Sequence, residues 1–328
     1  MASTETDLAG SERRALTGGC GLLDRSERGK LALTGAGAVE FLNGQVTNEL
    51  ADLRPGEGRY AAFLTPKGKM LGDLRILATG ASPDASPAEL LLDTERTALQ
   101  ALFDMIRHFK VGYDVELHKR TIERGLLSLI GPAAVTTAGA EALSASREHA
   151  NMALEVDGAQ VVAVRTDVGV DLICDAADTQ RLTAALVARG ALAVCEQATE
   201  CLRVESGRPR FGIDLDGATI PQEAGLNARA VSFTKGCYVG QETVARLHYR
   251  GRPNRHLRGL RLSAPAATGE QLQLGERVVG HVGSSVVSPA LGPIALALVR
   301  REAEPGATVS VGVDGPSAVV VELPFDAG

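Results

Sequence analysis

The sequence lacks any apolar run approaching the ~20 residues that a helix needs to cross a bilayer. Its first ten residues are polar and acidic, without the basic start and apolar stretch of an export signal. These residues are expected to form a flexible tail. We therefore expect a chain that is neither exported nor inserted into a membrane.

Cysteine is sparse and scattered. The five cysteines form no Cys-x-x-Cys pair, and an odd number in a chain of 328 residues does not indicate a disulfide framework. No cysteine and histidine residues cluster at zinc-finger spacing, so no metal site is predicted. Free thiols are stable in reducing compartments, and the cytoplasm is the expected location.

An excess of positive charge is also missing. The net charge of −6 argues against a generally basic nucleic-acid-binding surface. One local stretch, Arg246 to Arg258, is basic and would suit a phosphate-rich partner or a polyglutamate tail, although a solvated surface is the favoured interpretation. The glycine pairs Gly18/Gly19 and Gly35/Gly37 lack the strand, loop and helix pattern of a nucleotide site. Direct binding of nucleic acid is therefore disfavoured.

What the sequence does contain is an ordinary globular composition, 45% apolar and 23% charged, enough for two or three domains. Strands are predicted at Gly29–Leu33, Arg59–Leu64, Lys69–Thr79, Tyr113–Leu117, Gly125–Ile130, Met152–Val156, Val161–Arg165 and Val170–Cys174. Helices are predicted at Val39–Leu42, Ala98–Ile106, Arg181–Arg189 and Glu196–Glu205. Because strands and helices do not alternate strictly, an α+β fold with antiparallel sheets is expected. The stretch Gly80–Pro87 is interpreted as an exposed loop.

After about Arg255, short runs rich in valine and leucine alternate with glycine and proline. This spacing predicts a small closed β-barrel at the C-terminal end. The predicted organisation is a tail over residues 1–21, two α+β subdomains over 22–252 with a boundary near 120, and the barrel over 253–328.

One segment carries the signs of chemistry. Cys237 lies between Gly236 and Gly240, which allow positive φ and a tight turn, and Lys235 comes two residues earlier. A nearby cation and the start of a helix at Glu242 both favour the thiolate, which is the reactive form of cysteine. The alternative is a small buried cysteine in a turn. From the residues alone, the two interpretations have equal weight.

The wider sequence around this cysteine resembles the YgfZ group of the glycine-cleavage T-protein superfamily. Lys235–Glu242 reads as the signature K-G-C-[Y/F]-x-G-Q-E. Supporting stretches follow the family order: Phe41–Thr47 resembles FL-x-GQ-x-T, Leu202–Gly207 resembles LR-x-E-x-G, and Ile220–Glu223 resembles IP-x-E. Gly280–Ser285 resembles the closing barrel. The resemblance spans roughly residues 22–323.

The resemblance implies three domains arranged as a cloverleaf around a central cavity that holds tetrahydrofolate or its formyl or methylene derivative. It implies a protein that supports the assembly or repair of iron–sulfur clusters in client proteins, including enzymes that modify transfer RNA, with Cys237 as the key residue beside Lys235. Three packed domains in one chain favour a monomer. Two other functions remain open: a folate-dependent aminomethyl or methyl transferase, and a folate-binding scaffold in which Cys237 is structural.

The resemblance also implies which residues bind folate. Asp171 lies where T-proteins place a pterin-binding glutamate, although aspartate is shorter, and Glu205 is the second candidate. Asp73 falls at an acidic pair beside the folate nitrogen, where Gly72 replaces the other carboxylate and weakens the transferase interpretation. Arg246 would meet the glutamate tail, because guanidinium suits carboxylate geometry.

Each of these residues also has a structural interpretation. Asp73 would sit in a turn or pair with Arg75, and Asp171 would bracket a strand. Glu205 and Arg246 would be solvated charges on helix surfaces.

Overall fold

The structure is a computed structural model that describes residues 2–80 and 86–325; residues 81–85 of the expected loop Gly80–Pro87 lie outside the described part. The helices are α1 Ala2–Gly18, α2 Ala38–Asn43, α3 Leu99–Phe109, α4 Ala134–Ala138, α5 Thr179–Ala188, α6 Glu196–Glu205, α7 Asn227–Ala230 and α8 Gln241–Arg250. The first strands are β1 Gly21–Asp24, β2 Gly29–Thr34, β3 Gly58–Leu64, β4 Met70–Thr79, β5 Glu89–Thr94, β6 Glu116–Lys119, β7 Arg124–Ile130, β8 Asn151–Val156, β9 Ala159–Arg165, β10 Gly169–Asp175 and β11 Leu192–Ala193. The barrel strands are β12 Arg255–Leu262, β13 Gln271–Leu274, β14 Arg277–Ser288, β15 Gly292–Arg300, β16 Thr308–Val311 and β17 Ser317–Val321.

The predicted α+β class is confirmed. The chain divides into two compact units, the first made of Met1–Ala61 and Leu74–Thr199, the second of Ala62–Asp73 and Glu200–Gly328. The chain leaves the first unit within β3 and returns to it within β4, so the turn between these strands belongs to the second unit. The predicted subdomain boundary near residue 120 stays a prediction.

In the first unit, a six-stranded sheet has the order β11-β1-β7-β10-β9-β8, and its pairings are antiparallel except that of β1 with β11. The strand β7 is buried at every position after Arg124. Such a strand reads as a continuous apolar run because both of its faces are covered. Leu126 and Ile173 from this sheet cluster with Leu77 and Leu91, which lie on β4 and β5 of the sheet β3-β4-β5-β2-β6.

The N-terminal residues differ from the expected flexible tail. They form α1, in which Leu16 is 4% exposed. The Glu12 carboxylate accepts hydrogen bonds from the Cys195 backbone N–H at 2.8 Å and from its thiol at 3.3 Å. The polar composition concealed this helix because its sequence shows no continuous apolar stripe, and a leucine and a buried carboxylate are among the residues that hold its described part. No helix among the described residues is both long and apolar enough to span a bilayer.

In the second unit, the predicted barrel is confirmed. Its six strands close in the order β12-β15-β14-β13-β16-β17, and β12 pairs with β17 to complete the ring. Buried residues alternate with more exposed ones along β16 and β17, as expected when one face of each strand fills the barrel. The helix α6 contributes Val204 to a separate cluster against the barrel residues Leu257, Leu296 and Phe325.

Candidate functional site

Cys237 lies in the irregular loop between α7 and α8, and the residue is exposed. Its neighbours Lys235 and Tyr238 are 7% and 8% exposed, so the loop presents the cysteine outward while both neighbours point inward. An exposed thiol is available to a partner molecule, which a core cysteine is not. This exposure favours a functional cysteine over the buried structural alternative.

The C-terminal end of this loop is fixed by a close backbone approach. Gly240 has φ of 84°, and a β-carbon at this position would lie 2.6 Å from the Thr65 carbonyl oxygen in the turn between β3 and β4. The turn residue Gly68, with φ of 77°, would likewise bring a β-carbon to 2.7 Å from Cβ of Thr243. The predicted positive φ is therefore found at Gly240, whereas Gly236 lies outside that region. Only glycine fits both positions without strain.

Side chains hold the rest of the loop against α8. The rings of Phe233 and His248 stack with centroids 3.7 Å apart and an interplanar angle of 14°. The buried Gln222 side chain donates a hydrogen bond from its amide nitrogen to the Val244 carbonyl at 3.0 Å. The loop is thus held before Cys237 by ring stacking and after it by the glycine contact, which limits where the thiol can point.

The ammonium group of Lys235 lies over the ring of Tyr238, 5.2 Å from its centroid. This distance is typical of a cation–π interaction. Burial raises the pKa of Tyr238 to about 12, so its phenol stays neutral at physiological pH. Lys235 therefore has a definite place in the loop, and its predicted effect on the thiol stays a prediction.

Glu205 lies near the end of α6 and contacts the barrel. The Ser288 hydroxyl donates a hydrogen bond to Oε1 of Glu205 at 2.5 Å, and the Cys201 thiol donates to the same oxygen at 3.4 Å. The Ser288 bond ties α6 to the end of β14, whereas the Cys201 bond lies within α6. Folate binding by Glu205 stays a prediction.

Arg203, two residues earlier, is the centre of a network that the sequence analysis missed. Its guanidinium donates to both carboxylate oxygens of Glu200, at 2.7 to 3.1 Å, and to Asp214 at 2.9 Å, and it also contacts Ser284 on the barrel. Burial disfavours the charge, but Glu200 and Asp214 outweigh it and raise the pKa of Arg203. The spacing of Glu200 and Arg203, three residues apart on a predicted helix, was the available signal.

Two arginines of the basic stretch are paired. Nε and Nη2 of Arg255 donate hydrogen bonds to the two carboxylate oxygens of Glu223, at 3.1 and 2.8 Å. Arg258 forms an ion pair with Glu322, in which Nη1 and Oε2 are 3.0 Å apart. The same Glu223 accepts a hydrogen bond from the Ile220 backbone N–H at 3.1 Å, which gives the Ile-Pro-x-Glu stretch a structural role. Arg246 is exposed on α8, and its contact with a folate tail stays a prediction.

In the first unit, Asp171 belongs to a chain of buried charges. Arg75 donates to Asp171 at 2.5 Å and to Asp93 at 2.7 Å, and Arg28 donates to Asp93 at 2.9 and 3.1 Å. Arg28 also contacts Glu95. Burial alone would raise the pKa of Asp93, but Arg28 and Arg75 hold it well below its usual range. Asp171 is thus held in place by Arg75, which Asp93 in turn holds in place.

Ser128 lies directly opposite Asp171 on the neighbouring strand β7. It is 1% exposed, and within the described structure its hydroxyl has no hydrogen-bond partner. Cross-strand partners point to the same face of a sheet. A buried carboxylate beside an unsatisfied hydroxyl is a polar site that a ligand with N–H and C=O groups would complete, because an unpaired buried polar group costs about 1–3 kcal/mol.

The predicted site residues are distributed over both units. Asp171 lies in the first unit, and Asp73, Glu205, Lys235, Cys237 and Arg246 lie in the second. Asp73 is inside β4 and only 7% exposed, so it does not occupy a turn. Within the described part of the chain, no three histidine, cysteine or acidic side chains come together to hold a metal ion.

The α+β fold that ends in a closed six-stranded barrel is of the glycine cleavage T-protein type. The solved structure of aminomethyltransferase T from the Bartonella henselae glycine cleavage system has this fold, with a TM-score of 0.84 at 24% identity over 97% of this chain and 90% of that one. The profile of the GCVT N-terminal domain matches residues 2–235, and that of the glycine cleavage T-protein C-terminal barrel domain matches residues 255–326. This chain belongs to the glycine cleavage T-protein family.

Full-length relatives agree with this assignment. An aminomethyltransferase of Streptomyces coelicolor is 30% identical, and the match covers 99% of this chain and 94% of that protein. An aminomethyltransferase of a Nostoc species is 27% identical over 96% of this chain and 86% of that protein. Both belong to the superfamily that the sequence motifs indicated.

Replacing Gly240 with alanine is expected to destabilise the protein by about 1–3 kcal/mol, because the position needs positive φ and a β-carbon would meet a backbone oxygen. Gly236→Ala is the matched control, since a β-carbon there meets no atom within 4 Å. Urea unfolding measures both variants. Equal unfolding free energies for the two would contradict the proposed role of the glycine contact.

Replacing Asp93 with asparagine is expected to cost about 3–5 kcal/mol, because two buried arginines lose their shared partner. Asp175→Asn, at an exposed pair with Arg124, should cost at most about 1 kcal/mol. Asp93 has a lowered pKa in the folded state, so its contribution is present above about pH 4 and is lost on further acidification. Unfolding free energies measured from neutral to acidic pH should therefore fall less steeply for Asp93→Asn than for the unaltered protein.

Proposed function

We propose that this protein is a tetrahydrofolate-binding member of the YgfZ group, and that it supports the assembly or repair of iron–sulfur clusters in client proteins. The observation that carries the proposal is the exposed cysteine on a loop held at both ends. A fixed, accessible thiol is suited to reacting with, or coordinating, a group on another molecule. We propose further that it acts as a monomer in the cytoplasm, with clients that include enzymes of transfer-RNA modification.

The buried polar pair of Asp171 and Ser128 fits the pterin ring of folate. A pterin edge offers two N–H groups that a carboxylate can accept, and a carbonyl that a hydroxyl can donate to. Arg75 holds Asp171 at one oxygen, while each carboxylate oxygen can accept more than one hydrogen bond. A shorter aspartate can therefore serve where the superfamily has glutamate, provided that the ligand approaches the strand closely.

The remaining predicted residues would contact other parts of folate. Asp73, a buried carboxylate on β4, would face the folate nitrogen that carries the one-carbon unit, and Arg246 would meet the glutamate tail. Glu205, on α6 of the second unit, is the second candidate for binding the pterin. Tetrahydrofolate, when bound, supplies a nitrogen that carries a one-carbon unit.

Cys237 would act as a thiolate and Lys235 would favour that charge. A thiolate binds iron and attacks electrophilic carbon, whereas the protonated thiol does neither efficiently. The cation–π contact between the Lys235 ammonium and the Tyr238 ring keeps the cation within the loop. The protein would thereby present a reactive sulfur without the help of a general base. The iron–sulfur cluster of the client protein would be the substrate.

Aminomethyl transfer is the second candidate, and the names of the relatives favour it. The proteins from Streptomyces coelicolor and Nostoc are both aminomethyltransferases. Against this candidate, Gly72 stands beside Asp73, where the superfamily has a second carboxylate. An aminomethyl transferase also has no need of the exposed Cys237. The two candidates therefore differ in whether the thiol is required.

Replacing Cys237 with serine is expected to abolish support of iron–sulfur enzymes in cells that lack their own copy of this protein. Cys195→Ser is the matched control, since Cys195 is also exposed. The activity of an iron–sulfur enzyme in extracts is the readout, and urea unfolding should be the same for both variants. Full support by Cys237→Ser would exclude the thiol role and favour the transferase.

Replacing Asp171 with asparagine is expected to weaken tetrahydrofolate binding at least about tenfold, because a charged hydrogen-bond acceptor worth about 1.5–3 kcal/mol is lost. Asp175→Asn changes the same strand at an exposed position and should bind as the unaltered protein does. Calorimetric titration measures both affinities. If the unaltered protein shows no saturable heat, the folate proposal fails, and if Asp171→Asn binds normally, Asp171 is not a ligand.

A further inference from the structure

A cavity of about 550 Å³ opens on the barrel, where the chain enters β12 and where it leaves β15. Its lining comes from residues 252–258 and 299–305, all in the second unit. None of the residues proposed above for folate or for thiol chemistry is in this lining. The volume is within the range of small-molecule sites, about 300–1,000 Å³.

The cavity is markedly cationic in a protein whose net charge is −6. Arg252, Arg258, Arg300 and Arg301 line it, together with the imidazole of His256. Guanidinium groups offer planar pairs of N–H donors that match phosphate and carboxylate oxygens. Four such groups around one cavity suit an anion with more than one charge.

The acidic residues of the lining do not cancel this charge. Glu302 is engaged by Arg277, a residue outside the lining, at 3.3 Å. Its own backbone N–H, and after it Arg277, Arg300 and Arg301, lower the pKa of Glu302. Glu304 is the other acidic residue of the lining, and Arg258 is partly balanced by Glu322. Four arginines against two glutamates leave the lining with a net positive charge.

His256 adds hydrogen bonding to this charge. Burial and then the charge of Arg258 lower the pKa of His256, so the ring is neutral at pH 7 and presents one N–H donor. The lining also includes the apolar residues Pro253, Val299, Ala303 and Pro305, of which the two prolines are the more exposed. A ligand here would place a charged group at the arginines and an uncharged part against these prolines.

We propose that this cavity binds a small organic molecule that carries a doubly charged oxyanion, either a phosphate ester or a dicarboxylate. The arginines would neutralise the oxyanion, and His256 would donate a hydrogen bond to it. Pro253 and Pro305 would contact the carbon part of the molecule.

The test uses phenyl phosphate and phthalate as probes, titrated into the full chain by calorimetry. At least one probe should bind with a Kd below about 1 mM, and tighter binding of one identifies the source as a phosphate ester or a dicarboxylate. The double variant Arg252→Gln, Arg300→Gln should weaken that binding at least tenfold. Arg250→Gln removes one arginine charge from α8, outside the lining, and should leave binding unchanged. The ring signals of His256 in NMR spectra should move on binding, and those of His118 in the first unit should not.

Three results would overturn the proposal. The first is that neither probe saturates below about 1 mM. The second is that the double variant binds as tightly as the unaltered protein. The third is that Arg250→Gln weakens binding as much as the double variant, which would mean that diffuse surface charge and not the cavity attracts the anion.

Discussion

The close approach of two backbone turns at Gly68 and Gly240 is the constraint on which the thiol site depends. Each glycine has positive φ, and a β-carbon on either would enter the space of the other turn. This contact sets where α8 begins and therefore where the loop that carries Cys237 must end. An exposed cysteine on a free loop would sample many directions, whereas here the loop is held from both sides.

Buried ion pairs organise both units in the same way. Asp93 lies between Arg28 and Arg75 in the first unit, and Arg203 binds Glu200 and Asp214 in the second. Taking such charges out of water is costly, so pairs of this kind add little net stability. Their directional hydrogen bonds do fix positions, however. The first set holds Asp171, and the second holds the helix that carries Glu205.

The shared domains support the family assignment, whereas the proposed function rests on individual side chains. The barrel and the α+β unit are common to aminomethyltransferases, and a shared fold does not imply a shared reaction. The proposed function rests on individual residues of this chain, above all the exposed Cys237. The cationic cavity on the barrel is likewise a local feature, formed by surface side chains and not by the core.

The sequence by itself determined the α+β class, the barrel, and the helix Glu196–Glu205, because long periodic runs leave few alternatives. It also singled out Cys237, since two glycines and a lysine around a thiol form an uncommon pattern. It did not show β5, whose short leucine run suits a strand or a helix, or α1, whose contacts involve residues far away in sequence. Only the tertiary structure decided that Arg75 binds Asp171, that Ser128 lies beside it, and that distant arginines share a cavity. These contacts join residues that are far apart along the chain, so local sequence patterns do not predict them.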